Sequence, residues 1–390
     1  MRVVLYIVCA AVAVALLGGA LPAGATPAAA GQAQVEPRVL DEIAAQGETT
    51  FWVNLREKAD LAPAHAMTDR DARGEYVFDQ LNDVADSSQA RIRAFLEDRG
   101  VRHQPFWIVN TVEVTAGLDV LEAVAAFPEV AEIEADRVYS IPDPDPVETT
   151  DERVLATEWG LNAIRAPEVW STFGVRGEGI VVGSIDSGVR YTHGAVAMQY
   201  RGRNTDGTFD HNYNWHDPSN ICGSPSLAPC DNNDHGTHTM GTMVGDDGGA
   251  NQVGVAPGTT WMTAKGCETS SCSRPALLSS AQFMLAPTDL SNLNPDPTKR
   301  PHIVNNSWGG NNGADTWYQA SVQAWVASGI FPSFSNGNAG PACGTVGAPA
   351  SYPESFGVGG FAENGTIYGN SSRGPSPVGG AGIKPQVTAP

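Results

Sequence analysis

Two segments of the chain carry residue types that suit acid–base chemistry. Asp186 ends an apolar run that predicts a buried strand, where an ionised carboxylate is costly unless a partner neutralises it. His235 opens a predicted helix, and the small residues Gly236 and Thr237 after it let another segment approach the imidazole. Because a helix N-terminus disfavours imidazolium, the pattern predicts a neutral His235 that accepts a proton, with Asp186 stabilising the cation that forms.

Both residues also have simpler interpretations. Asp186 suits a turn or a helix N-cap, and a lone histidine at a helix start is often incidental. His235 and His238 are also a candidate metal pair. Zinc-peptidase motifs, however, place two histidines four residues apart with a glutamate next to the first, and neither condition holds here. The sequence therefore predicts no metal at this position.

Two further polar segments follow predicted strands. Asn338 lies in a Gly-rich segment, where its side-chain amide suits donation to a developing oxyanion, and where simple turn formation is the alternative. Ser307, Trp308 and Gly309 follow another strand, and the side-chain-poor backbone at Gly309 and Gly310 suits pairing with an extended peptide. Trp308 is alternatively a core residue.

The elements that must position these residues alternate between strands and helices. Strands are predicted at 179–185, 260–265, 302–305, 329–334 and 356–361, and helices at 235–244, 275–285 and 315–328. This alternation predicts an α/β fold with a mostly parallel sheet and helices on both faces. Ligands in such folds bind beyond the carboxyl ends of the strands, so the polar segments are expected to lie along that edge.

The rest of the chain predicts three further parts. Residues 1–25 place Arg2 before a short apolar run and end in small residues, which predicts an export signal rather than a membrane anchor. Residues 26–140 form a second folded domain, and the Pro- and acid-rich residues 141–158 form an exposed linker and processing region. Residues 159–390 form the α/β domain.

The second domain has its own pattern of elements. Strands are predicted at 51–55, 106–115 and 131–139, and helices at 75–99 and 120–127. The longer helix has an apolar face made of Phe78, Leu81, Ala85, Ile92, Phe95 and Leu96. This layout predicts a small α+β domain of ferredoxin-like type.

Composition restricts the partners and the compartment. Apolar residues make up 42% and charged residues 17% of the chain, as in globular proteins. A formal net charge of −20 repels phosphate backbones and anionic lipids, so no nucleic acid or membrane partner is expected. After export into an oxidising compartment, the cysteine spacings predict bridges Cys222–Cys230 and Cys267–Cys272. Cys343 is then left over, and pairing with a residue beyond Pro390 is one explanation.

In this order, the motifs resemble those of the subtilisin-like serine peptidases, most of all the bacillopeptidase F-like branch. They are IDSGV (185–189), HGTHTMGT (235–242), NSWGG (306–310), SNGNAGP (335–341), VGAPASYP (346–353), SSRGP (371–375) and KPQVTAP (384–390). The resemblance implies that Asp186 orients the base, His235 is the general base and acid, and Asn338 donates to the oxyanion. It also implies that Ser307, Trp308 and Gly309 line the substrate cleft, with Gly347 near the floor of the pocket for the residue before the cut.

The same resemblance implies a secreted, monomeric endopeptidase that acts on polypeptides, with structural calcium frequent in the family. The domain at 26–140 resembles an inhibitor I9-type propeptide, which occupies the cleft and assists folding until it is cut. The family's nucleophile lies in a Gly-Thr-Ser-Met-Ala motif that does not occur up to Pro390, so the serine is expected beyond this chain. Without it, the chain as given is expected to be inactive. The alternative is a pseudoprotease that binds peptides or regulates a partner.

Overall fold

The computed structural model describes residues 33–141, 157–249 and 252–390. The predicted export signal and residues 142–156 of the predicted linker lie outside these ranges. The N-terminal part contains β1 (Gln34–Val35), α1 (Pro37–Gln46), β2 (Thr49–Leu55), α2 (Arg70–Asp98), β3 (Arg102–Phe106), β4 (Thr111–Ala116), α3 (Leu118–Ala125), β5 (Val130–Ala135) and β6 (Val138–Ser140).

Five of these strands form one sheet in the order β1-β5-β2-β4-β3. β2 pairs antiparallel with β4 and β5, and β3 pairs antiparallel with β4, which gives the predicted ferredoxin-like order of strands and helices. The prediction of a single strand at 106–115 was wrong, because the chain turns between β3 and β4. Asn110 adopts a left-handed φ of 52°, which ends an extended run.

Helix α2 packs against two different hydrophobic clusters. Asp69 caps its N-terminus by accepting from the backbone N–H of Ala72 at 2.9 Å. Near its C-terminal end, Ile92 and Leu96 lie in the core of the N-terminal part, while near its other end Val77 and Leu81 belong to a cluster that extends into the C-terminal part. Of the predicted apolar face, Phe78 and Phe95 are only partly buried. The 29-residue helix therefore joins both parts of the molecule.

The C-terminal part is built on a second, larger sheet. Its elements are α4 (Trp159–Ala163), α5 (Ala166–Phe173), β7 (Val181–Asp186), β8 (Trp215–His216), α6 (His235–Val244), β9 (Thr260–Lys265), β10 (Ser271–Ser273), α7 (Arg274–Leu285), β11 (Ile303–Asn306), α8 (Gln319–Ser328), β12 (Phe331–Ser335), β13 (Phe356–Gly360) and β14 (Val387–Ala389). Seven strands form a sheet in the order β14-β13-β12-β11-β7-β9-β8, and every neighbouring pair is parallel. The predicted α/β fold is confirmed.

Both faces of this sheet carry helices. Trp261 and Met262 are successive residues of β9, so their side chains lie on opposite faces. Trp261 packs in a cluster with Met240 of α6, whereas Met262 packs in the cluster that contains residues of α7 and α8. Asn306 of β11 is level with both Ile185 of β7 and the corresponding residue of β12, so three strands end together at one edge.

The two predicted bridges, Cys222–Cys230 and Cys267–Cys272, are present, and Cys343 is exposed and free. Among the described residues, none of the helices combines the length and the apolar character that a membrane crossing requires.

Candidate active site

Asp186 and His235 meet at the carboxyl edge of the parallel sheet. Asp186 is the last residue of β7 and is fully buried, and its Oδ1 lies 2.7 Å from Nδ1 of His235, the first residue of α6. The Asp186 carboxylate also accepts from the backbone N–H of Ser187 at 2.7 Å and from the hydroxyl of Thr239 at 3.3 Å. These bonds hold the carboxylate in place, and Nδ1 of His235 donates its proton to the carboxylate in a hydrogen bond.

The charge balance at His235 differs from the prediction. Burial lowers the pKa of the His235 imidazole, but the hydrogen bond and negative charge of Asp186, together with the charge of Asp231, outweigh burial and hold it above its ordinary value. The helix N-terminus alone predicts the opposite direction. The His235 side chain is 16% exposed, so protons still reach it from solvent.

Two glycines allow the segments that bear Asp186 and His235 to approach each other. A β-carbon at Gly236 would lie 2.0 Å from the Gly188 carbonyl oxygen and 3.2 Å from the Asp186 β-carbon. Gly188 has a φ of 96°, and a β-carbon there would lie 2.0 Å from the Cys230 carbonyl oxygen. Side chains at either position would therefore separate the carboxylate from the imidazole.

A polar network behind the pair was not predicted. Asp231 accepts from the Ser187 hydroxyl at 2.8 Å and from the backbone N–H and hydroxyl of Thr237, at 2.8 and 2.6 Å, and so caps α6 in place of Asp234. The Ser187 hydroxyl accepts from the Gly236 N–H at 2.9 Å. The ammonium of Lys265, which is 1% exposed, donates to the Ser187 carbonyl oxygen. The usual capping position directly before a helix is held by Asp234, so no local pattern pointed to Asp231, four residues before α6.

Asn338 follows β12 at the same edge of the sheet. It is exposed, and it lines a cavity of about 220 Å³ together with Tyr368, Asn370 and Ser371. Because β11 lies between β7 and β12, the strands that lead to Asp186 and Asn338 are about 10 Å apart. The three predicted residues therefore share one edge, although His235 does not line that cavity.

Ser371 and Ser372 take structural roles beside this cavity. Ser371 accepts from the Gly360 N–H at 3.0 Å, and Ser372 accepts from the Ala339 N–H at 2.9 Å. Both serines are at most 5% exposed. Within the part of the chain that the structure describes, no serine hydroxyl hydrogen-bonds to His235.

The end of the N-terminal part runs as an extended strand beside the predicted cleft residues. β6 pairs antiparallel with β10, with Tyr139 opposite Cys272, and on its other side Ser140 exchanges two backbone hydrogen bonds with Gly309, at 3.1 and 3.3 Å. Ile141 continues the pairing by donating to the Ser270 carbonyl oxygen at 2.9 Å. The segment 138–141 is thus a strand inserted between two backbone edges of the C-terminal part.

The other predicted cleft residues lie close to this strand. The ring of Trp308 is 1% exposed and packs in the core against Tyr318, so the core alternative describes its side chain. Ser307 accepts from the Asn305 amide at 3.0 Å. Gly347 is buried, and a β-carbon there would lie 2.4 Å from the Gly310 carbonyl oxygen.

Tyr139 anchors the inserted strand in an aromatic pocket. Its ring stacks on Trp317 with 4.6 Å between centroids, and its hydroxyl donates to Asp315 at 2.9 Å. A β-carbon at Gly310 would lie 3.3 Å from the tyrosine ring, so the absence of a side chain there makes room for it. Burial, followed by the nearby Asp315 carboxylate, raises the pKa of the Tyr139 hydroxyl. The pocket therefore accepts an aromatic side chain with a polar end.

A buried arginine beside this pocket joins the two parts. Arg274, the first residue of α7, is 1% exposed and donates to Glu134 of β5 at 2.9 Å. Its guanidinium carbon lies 4.4 Å from the Trp52 ring centroid and 5.1 Å from that of Trp317. Burial raises the pKa of Glu134, but Arg274 and neighbouring donors lower it further, so it stays below its ordinary value.

Glu113 is a second acid near Arg274, and its pKa is raised rather than lowered. Burial, and then the nearby Asp136 carboxylate, raise the pKa of Glu113 from 4.5 to about 7, against the charges of Arg102 and Arg274. Glu113 thus carries only part of a negative charge at neutral pH.

Among residues 33–141, 157–249 and 252–390, no group of three or more His, Cys, Asp or Glu side chains is placed to hold a metal ion.

Comparison with known proteins identifies the family of the chain. Residues 177–390 match the model of the Subtilase family of peptidases, and the chain belongs to this family. The chain is 36% identical to Bacillopeptidase F of Bacillus subtilis (strain 168) over 376 residues, which cover 88% of this chain and 26% of that protein. It therefore spans about a quarter of the length of this relative.

More distant relatives cover most of the chain. Subtilisin E of Bacillus subtilis (strain 168) is 23% identical over 358 residues, 87% of this chain and 79% of that protein. A crystal structure of the epidermin leader peptide processing serine protease from Staphylococcus aureus superposes with a TM-score of 0.55 at 13% identity. The superposition covers 83% of this chain and 73% of that chain, and this similarity supports the α/β fold described above.

Proposed function

We propose that the chain is the secreted precursor of a serine endopeptidase of the subtilase family, in which residues 26–140 are an inhibitory propeptide that follows an export signal. The observation that carries this proposal is the 2.7 Å contact between the fully buried Asp186 and His235 at the carboxyl edge of a parallel sheet. The proposed enzyme is monomeric and acts on polypeptides outside the cell.

In the proposed mechanism, Asp186 holds the Nδ1 proton of His235 and leaves Nε2 free to accept one. Nε2 takes the proton from a serine hydroxyl as its oxygen attacks the peptide carbonyl carbon, and then gives that proton to the leaving amine as the C–N bond breaks. Water releases the acyl group by the same steps. Asn338 donates to the oxygen that becomes negative. The serine would come from residues that follow Pro390.

The inserted strand supports both the substrate class and the inhibitory role. A polypeptide bound between β10 and Gly309 would gain backbone hydrogen bonds on both sides, as the segment 138–141 does. An aromatic residue at the position of Tyr139 would fill the pocket beside Trp317. While 138–141 occupies this place, no substrate can bind there, which keeps the precursor inactive until the chain has been cut between 141 and 158 and the segment has left the cleft.

A non-catalytic peptide-binding protein is the second candidate function. The observation in its favour is that Ser371 and Ser372 are committed to backbone contacts, and that no described serine contacts His235. This candidate keeps the cleft and the pairing with an extended segment but forms no acyl-enzyme.

The two candidates are separated with the complete reading frame, including any codons after Pro390. It is expressed unmodified, as His235→Ala, and as His238→Ala, which changes an exposed histidine of the same helix. We expect a fluorophosphonate probe to label the unmodified protein and the His238 variant, and labelling and self-cleavage to be lost in the His235 variant with its circular dichroism unchanged. Absence of label from the unmodified protein would favour the binding protein, and label on the His235 variant would refute its role as base.

A further inference from the structure

The first turn of α2 contacts the C-terminal part far from the cleft. Its partners are the last turn of α8 and the residues just before β11, including Arg300 and Pro301. The chain enters β11 and β12 from this side, so the contact lies at the amino edge of the parallel sheet. Asp186 and Gly309 lie beyond the carboxyl edge, and no residue is shared between the two places.

At this amino edge, arginines satisfy the carbonyl oxygens that end α8. Arg73 of α2 donates to the Val326 carbonyl oxygen at 2.8 Å and to that of Ala327, and Arg300 donates to that of Ser328 at 2.9 Å. The last carbonyl oxygens of a helix lack partners within it and carry the negative end of its dipole. That of Val326 also accepts from the Gly329 N–H at 3.1 Å, so Arg73 adds a second donor there. Guanidinium groups suit this position in charge and in number of donors.

The contact is reciprocal. Arg70 donates to the carbonyl oxygens of Arg300 and Pro301 at 2.9 and 2.8 Å, while Arg300 donates back to the Arg70 carbonyl oxygen. Arg300 is 1% exposed, and its nearest carboxylate oxygen, on Asp71, is 3.9 Å away. Burial, and then the charge of Arg70, lower the pKa of Arg300 to about 10. The guanidinium groups of Arg70 and Arg300 are therefore bound mainly by carbonyl oxygens rather than by carboxylates.

Gly74 sets how closely α2 approaches. A β-carbon at Gly74 would lie 2.2 Å from the Nη1 atom of Arg300, and Gly74 is itself buried. That guanidinium is hydrogen-bonded on three sides and has little freedom to move away. Even the smallest side chain at 74 would therefore push α2 and Arg300 apart.

We propose that residues 70–74 are a second docking site of the propeptide, which caps α8 of the peptidase region away from the cleft and slows release of the propeptide together with the Arg274–Glu134 pair and the shared hydrophobic cluster. The proposal rests on residues 26–140 being a propeptide. It means that cutting the chain after 141 is insufficient for release, because the α2 contact must also break. It also restricts the propeptide's partners to peptidase domains that present a matching helix end and arginine.

The test uses the full chain with a site for a sequence-specific protease placed within 142–156. After cutting, native mass spectrometry follows how fast the N-terminal part separates from the rest. The variants are Arg73→Ala and Gly74→Ala in the second docking site, Tyr139→Ala in the inserted strand, and Arg93→Ala as the control. Arg93 lies on the same helix but pairs with Asp86 of that helix. Circular dichroism before cutting checks folding.

Loss of charge-assisted hydrogen bonds should speed separation at least about tenfold for Arg73→Ala, with Gly74→Ala in the same direction and Arg93→Ala unchanged. Separation of both docking-site variants at the control rate would overturn the second docking site. If only Tyr139→Ala sped separation, the inserted strand would hold the propeptide and the second docking site would be refuted. If only Arg73→Ala and Gly74→Ala sped separation, the second docking site would stand, and the proposed role of the inserted strand in holding the propeptide would fail. Separation within the mixing time of the cut chain that carries no substitution would also overturn the proposal, because the second docking site predicts slow release.

Discussion

The ion pair between Arg274 and Glu134 allows a quantitative test of how the two parts are held together. The Arg274 guanidinium is 1% exposed and lies between two tryptophan rings, with Glu134 at 2.9 Å as its hydrogen-bonded counter-charge. Glu134→Gln keeps the shape of that side chain but removes its charge, so the buried cation loses its partner. The opposite change, Arg274→Met, removes the cation and leaves an apolar chain between the rings.

The expected size of the effect follows from burial and distance. Two unit charges 4 Å apart attract by about 4 kcal/mol at an effective dielectric constant of 20, and breaking one side of a buried pair commonly costs about 3–5 kcal/mol. Glu134 retains 22% exposure, and the partial charge of Glu113 remains nearby, so the lower end applies. We expect Glu134→Gln to lower the free energy of unfolding by about 3 kcal/mol, and the double variant with Arg274→Met by only about 1 kcal/mol.

Urea unfolding of the full chain at pH 8, followed by tryptophan fluorescence, measures these values. Glu168→Gln is the control, because Glu168 pairs with Arg165 on an exposed surface, and it should leave the unfolding midpoint unchanged. The coupling energy from the double-mutant cycle should reach at least about 2 kcal/mol, because the loss in Arg274→Met alone adds to the difference between the other two values. A loss below about 1 kcal/mol for Glu134→Gln, or additive effects of the two changes, would refute the assignment of a buried pair.

Three further predictions concern pH and close packing. Because the pKa of Glu113 is raised to about 7 in the folded chain, the folded state binds an extra proton between pH 4.5 and 7, and stability falls as pH rises through that window; Glu113→Gln should flatten the fall. NMR titration should place the pKa of His235 above about 6.5, and Asp186→Asn should lower it. Gly236→Ala should lower the free energy of unfolding in urea by at least about 2 kcal/mol, because its methyl group would lie 2.0 Å from the Gly188 carbonyl oxygen.

Each of these has a result that contradicts it. An unchanged pH profile in Glu113→Gln would assign the proton to another group, and an unchanged His235 pKa in Asp186→Asn would mean that the 2.7 Å contact does not set it. Gly241→Ala is the matched control for Gly236→Ala, because it lies in the same helix with nothing within 4 Å of an added β-carbon. It should stabilise the chain slightly, and equal effects of the two substitutions would rule out the steric explanation.

Local sequence patterns predicted the scaffold because the sheet is built from short apolar runs. Strand β9 matches its predicted bounds, and Asp186 and His235 were found from where they stand, at the end of a strand and the start of a helix. The turn near Asn110 was missed because an apolar run continues through it, and one left-handed residue leaves little trace in a hydrophobic pattern.

The features that were not predicted depend on contacts between distant segments of the chain. Arg73 and Val326 are 253 residues apart, and nothing near either residue indicates the other. A neutral His235 was predicted from the helix end, with Asp186 stabilising the cation that forms, whereas in the folded chain Asp186 and Asp231 hold the pKa of His235 above its ordinary value. Sequence patterns report a residue's own element, but the pKa depends on every element packed against it.

The hydrophobic cluster shared by the two parts has a consequence for the proposed propeptide once it is released. Trp52, Val77, Leu81 and Phe106 are each at most 8% exposed, and they pack in the same cluster as residues of α7 and α8. Once separated, this surface would face water and favour aggregation or capture by other proteases. Under the proposed function, separation would therefore expose the N-terminal part to proteolysis, and activation would be irreversible.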